Sequence, residues 1–190
     1  MRMPGSCQGH DYLAKGTITM PDLCRIFAGV SGSPGSVHAL RQAGDLARRN
    51  DAILIPLHTW MPPEGDLHER WHPCQELRQL WEEDAWQRLR EVLDTAFGGL
   101  PAGVRAQPVV LRGKPGKVLT GVARQAGDLL LISVGRRRGL QRLWSCGVAR
   151  YCLANADCPV LAIPLPSLAQ EAGYGLRGWA FRHRGIRATA

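Results

Sequence analysis

The residues best suited to chemistry sit in two glycine-punctuated stretches. The first is Gly135-Arg136-Arg137-Arg138-Gly139, continued by Arg142, Cys146 and Gly147. Glycines let backbone N–H groups approach an anion closely, and guanidinium groups hold one through forked, charge-assisted hydrogen bonds. A basic loop between a buried strand and a helix is therefore suited to phosphate. From spacing alone, a solvated charge run at a turn fits the same residues equally well. The second stretch is Ser31-Gly32-Ser33-Pro34-Gly35-Ser36, which follows an apolar run and precedes a helical period. Its small residues could hold an anion at a helix N-terminus or simply turn the chain, with Ser36 as the helix N-cap.

Three catalytic or metal arrangements are weaker. Gly29-Val-Ser31-Gly-Ser33 nearly spells the nucleophile elbow G-x-S-x-G, which would make Ser31 a nucleophile. A hydrolase of that kind needs a later acid and then a histidine, and the only histidine after the last predicted strand is His183. The same stretch resembles the pyrophosphate loop S-G-G-x-D-S of ATP-splitting enzymes but departs at Ser33 and Gly35, losing the acidic residue that orients magnesium or phosphate. His68, His72 and Cys74 have ligand-like spacing, but Pro73 interrupts the helix that would align them, and no metal is expected. No residue is assigned a catalytic role. The six cysteines contain no C-x-x-C pair, which makes free thiols in a reducing compartment the expectation.

The elements that would position these residues follow from apolar periodicity. Arg25–Val30 reads as a buried strand, and Ala39, Leu40, Ala43, Leu46 and Ala47 as the inner face of a helix running to Arg49. Residues 52–57 form a second strand and His58–Cys74 a loop. A long helix runs from about Gln75 to the Gly98-Gly99 stop, followed by a strand over 104–111 and a helix over 117–126. Asp128–Val134 is a fully apolar strand, 148–154 a helix, and the proline-bracketed 159–164 a final strand. Five strands alternating with four helices imply right-handed crossovers: an α/β, doubly wound parallel sheet with helices on both faces. Ligands of such sheets bind beyond the carboxyl ends of the strands, where both stretches fall.

With 190 residues and 20.8 kDa, one domain over 24–166 is expected, flanked by a flexible N-terminal extension (1–23, with Met20 an alternative start) and a flexible basic tail (167–190). The net charge of +8 loses its nucleic-acid meaning once located, because the tail alone carries Arg177, Arg182, Arg184 and Arg187 against one acid, Glu171. No apolar run approaches the roughly 20 residues that cross a bilayer, so a cytoplasmic protein without a membrane partner is expected.

Over residues 24–166 the chain resembles the universal stress protein family. The likeness rests on Arg25-Ile-Phe-Ala-Gly-Val-Ser-Gly-Ser-Pro-Gly-Ser36, on Gly127-Asp-Leu-Leu-Leu-Ile-Ser-Val134, and on Cys158-Pro-Val-Leu-Ala-Ile-Pro164. The resemblance implies strand order 3-2-1-4-5, a homodimer through the 159–164 strand, and a role in stress physiology without catalysis. Family members that bind ATP carry an acidic residue after the first strand and a loop of Gly, two residues, Gly, nine residues, Gly, then Ser or Thr. Here Ser31 stands at the acidic position. Anchoring the loop on Cys146-Gly147 puts Ser133 and Arg136 where glycines belong, and counting forward from Gly135 puts Arg138 and Val148 there. The expected site is thus Ser31, Gly32, Ser33, Gly135, Arg136, Arg138, Gly139, Cys146 and Gly147, binding ATP or another anion weakly or not at all. An ATP-using enzyme of the pyrophosphate-loop type and a nucleic-acid-associated protein acting through the tail are the alternatives.

Overall fold

A computed structural model of the chain describes residues 23–62, 74–134 and 147–165. Most of the two terminal segments, the histidines 68 and 72, and residues 135–146 therefore lie outside the described residues. The elements, in order, are β1 (Arg25–Val30), α1 (Pro34–Arg49), β2 (Ile53–Trp60), α2 (Gln75–Phe97), β3 (Val109–Arg112), α3 (Pro115–Val122), β4 (Asp128–Val134), α4 (Gly147–Asn155) and β5 (Val160–Pro164). The strands form one sheet in the order β3-β2-β1-β4-β5, with every pairing parallel.

A parallel sheet must be covered on both faces, and side-chain alternation along β1 divides the core accordingly. Ile26, Ala28 and Val30 point into the layer formed with α1 and α2, together with Leu40, Ala43, Leu89 and Leu93. Phe27 points the other way, into a cluster with Leu119 of α3, Leu130 and Ile132 of β4 and Cys152 of α4. At the amino ends of β1 and β4, Arg25 donates to both carboxylate oxygens of Asp128 at 2.7 Å each. The Asp128 side chain is 1% exposed and also accepts from the Gln125 N–H at 2.8 Å. Both acidic oxygens are therefore satisfied in the interior.

Several expected boundaries move, each for a local reason. The N-cap of α1 is Ser33 and not Ser36: Pro34 takes the first helical position, where its fixed φ and missing N–H cost nothing. Strand β2 continues past residue 57 through His58, Thr59 and Trp60, because β3 pairs along this part of it. Strand β3 is shorter than expected, with residue 106 making only an isolated bridge to Leu54. Leu54 bonds both the Arg105 carbonyl and the Gln107 N–H, and the regular ladder restarts only at Leu57↔Val109. Pro56 on one strand and Pro108 on the other fall in the gap, and neither has an N–H to donate. Helix α3 starts and ends earlier than expected, opening on Pro115 and ending at Val122. The expectation of six free thiols is corrected at Cys24, which is disulfide-bonded, whereas Cys74, Cys152 and Cys158 are free.

Candidate functional site

Strand order reverses between β1 and β4, so the chain leaves β1 toward β2 and leaves β4 toward β5 in opposite directions and opens a crevice at their carboxyl ends. The β1–α1 connection lies at this edge. Ser31 and Ser33 are exposed with their hydroxyls 3.0 Å apart, and Gly32 between them has φ +76°, a left-handed conformation that favours glycine. Ser33 Oγ accepts from the Ser36 N–H at 3.3 Å, while Ser36 Oγ donates to the Ser33 carbonyl at 2.7 Å. The first turn of α1 packs directly on β4: a Cβ added to Gly35 would lie 3.3 Å from Ser133 Cβ and 3.4 Å from Leu165 Cδ1. Glycine at position 35 is what lets the helix end approach the crevice.

This geometry limits how many amides the helix end can offer an anion. Pro34 has no N–H, the Ser36 N–H goes to Ser33 Oγ, and the Val37 N–H goes to the Ser33 carbonyl at 3.1 Å. Among the amides of residues 34–37, only that of Gly35 is left, and Gly35 is buried.

Of the expected site residues, Ser31, Gly32 and Ser33 are thus brought together at the crevice. Gly147 is exposed and opens α4, which packs on β4 and β5. Gly135, Arg136, Arg138, Gly139 and Cys146 fall outside the described residues. His58 was not anticipated, because the apolar run before it ends at Leu57. Its Nδ1 donates to the Val30 carbonyl at 2.8 Å, tying the end of β2 to the residue before Ser31 and leaving Nε2 as the ring's second polar atom. The one sequence signal for it is a polar residue directly following an apolar strand at the carboxyl edge.

Other candidate chemistry is not supported among the described residues. No group of three or more potential metal ligands occurs there. Burial pushes the Cys152 thiol up, helped by the nearby Cys158. Burial also pushes up the Cys158 thiol, with the Asp128 charge adding to it, so neither is an activated nucleophile. A groove of about 340 Å³ bounded by Arg48, Asp51 and Arg105 lies at the opposite, amino edge of the sheet. Its Arg105 guanidinium is already taken by the backbone carbonyl and side chain of Asp51. No described helix is long and apolar enough to cross a membrane.

The model of the family described as "Universal stress protein family" matches residues 24–164, the span that carries all five strands. The chain belongs to the universal stress protein family. A universal stress protein of Methanocaldococcus jannaschii is 24% identical over 150 residues, a match that covers 75% of this chain and 82% of that protein. Among solved structures, universal stress protein UspA from Lactobacillus plantarum superposes with a TM-score of 0.54 at 20% identity, covering 74% of this chain and 97% of that one. The hypothetical protein MJ0577 superposes with a TM-score of 0.60 at 16% identity, covering 77% and 99%. These structural likenesses establish the shared fold, including the strand order expected from the resemblance.

Proposed function

We propose that this universal stress protein is a non-catalytic stress-response or regulatory module that binds adenine nucleotides weakly or not at all. The observation that carries this reading is the state of the α1 N-terminus. Ser31 replaces a carboxylate, and the first helical turn has one amide left to donate, where a tight phosphate site presents several. The residues present do not fit a tightly held ATP. Arg136 and Arg138 are the residues proposed to compensate, with side-chain donors in place of glycine backbone, beside Ser31, Gly32, Ser33, Gly135, Gly139, Cys146 and Gly147.

Calorimetry tests this. ATP or another polyphosphate is expected to bind the native chain with a Kd of roughly micromolar or weaker and with marked salt sensitivity. The double variant Arg136→Ala, Arg138→Ala should lose more than about tenfold in affinity, since a charge-assisted bond contributes about 1.5–3 kcal/mol. Restoring a carboxylate with Ser31→Asp should leave binding weak. Submicromolar, magnesium-dependent affinity in the native protein would overturn the proposal, and nucleotide turnover would favour the enzyme reading.

We propose further that the module is a homodimer joined through β5. Among the described residues this strand pairs on one side only, with β4, and its Leu161 remains 39% exposed. An apolar edge of this kind invites pairing. Leu161→Lys should convert a sedimenting dimer to a monomer at concentrations on the order of tens of micromolar. A native chain that already sediments as a monomer there would remove the reading.

A further inference from the structure

The first turns of α2 are out of keeping with the rest of that helix. Ala85, Leu89, Val92 and Leu93 are buried, but every residue from Gln75 to Leu80 is exposed, Leu77 at 46% and Leu80 at 59%. The Trp81 ring lies 6.4 Å from that of Trp60, the last residue of β2. The helix residues before Trp81 therefore rise about 9 Å past the carboxyl edge of the sheet, at 1.5 Å per residue. Leu77 and Leu80 are neighbours on this projecting surface, and Glu76 and Glu83 lie beside Leu80 at helical spacing. An apolar ridge, with these two carboxylates along its Leu80 side and Arg78 next in sequence to Leu77, stands at the same edge where the chain leaves β5.

We propose that this ridge is the docking site of the chain's own C-terminal segment, residues 174–184. The segment supplies the complementary chemistry: Leu176, Trp179 and Phe181 alternate with Arg177, Arg182 and Arg184, so apolar side chains can cover Leu77 and Leu80 while guanidinium groups meet Glu76 and Glu83. Its reach is sufficient. The chain passes Leu165 at the carboxyl end of β5, where the Leu165 N–H bonds the Val134 carbonyl. Three strand spacings separate β5 from β2, about 15 Å, with about 10 Å more to the helix layer. The 14 residues from Leu165 to Trp179 extend to roughly 45 Å.

The test uses the full chain carrying the photoreactive substitution Leu80→p-benzoylphenylalanine. Irradiation is expected to give a product of single-chain mass whose cross-link maps to residues 174–184. The yield should fall at least fivefold when Trp179→Ala and Phe181→Ala are added, and also when Glu76→Arg and Glu83→Arg are added. Cross-links confined to residues 63–73, a product of doubled mass, or no cross-link at all would each overturn the proposal. A second measurement needs no probe residue. Trypsin should cleave after Arg177 and Arg182 at least threefold faster in a Leu77→Ser, Leu80→Ser variant than in the native chain, and equal rates would overturn it.

Discussion

Replacing Arg25 by methionine should destabilise the protein by about 3–5 kcal/mol, far more than a residue at the start of a strand usually commands. The cause lies in its partner. Asp128 is 1% exposed and takes two charge-assisted bonds from Arg25 and one from the Gln125 N–H, so removing the guanidinium leaves a buried carboxylate with one donor. Methionine keeps most of the length of the arginine stem, so the loss reports the contacts of the guanidinium group: its two bonds to Asp128 and its position over the Phe27 ring, 5.2 Å from the centroid. Denaturant titration measures it. Pairing the change with Asp128→Leu should recover most of the loss, because an apolar pair of similar volume avoids the desolvation of both ions. A cost below about 1 kcal/mol for Arg25→Met alone would show that the pair behaves like an exposed surface bridge.

The second large effect belongs to Leu130, fully buried in β4 and in register with Phe27 on one side and Val160 on the other. Leu130→Ala should cost about 2–5 kcal/mol, since β4 is held by hydrogen bonds to β1 on one edge and β5 on the other and cannot shift to close the cavity. Leu153→Ala on α4, at 60% exposure, should cost less than about 0.5 kcal/mol. Comparable losses at the two positions would mean that the exposed face of α4 is covered in solution.

Where the sequence was informative, one physical signal acted alone. Leu129–Ile132 is apolar without interruption because β4 is covered on both faces, and its bounds are as expected. Helix α2 ends at Gly98 because glycine accepts the left-handed φ of +74° there. Legibility failed where tertiary pairing overrode local pattern. His58, Thr59 and Trp60 look like loop residues, and only β3 makes them strand. Pro56 lies inside β2, where proline normally argues against an internal strand, and is tolerated because Pro108 opposite leaves a gap in the ladder. At the candidate site, the glycine and serine pattern located the turn but put the helix cap at Ser36, three residues late. It could not reveal that Ser33 caps the helix, nor that His58 reaches across from the next strand.

The pairing of β1 with β4 also sets a timetable. Residue Arg25 meets its register partner Asp128 only after about a hundred further residues have been made. At a ribosomal rate of about 5–20 residues per second, the central strand waits roughly 5–20 s with one edge bare. In that interval β1 can pair with β2 and shelter under α1, but Ile26–Ala28 still present open backbone groups on the side reserved for β4. The crossover between β1 and β4 therefore leaves the nascent chain with an open strand edge throughout that interval. The exposure ends when β4 inserts and Asp128 captures Arg25.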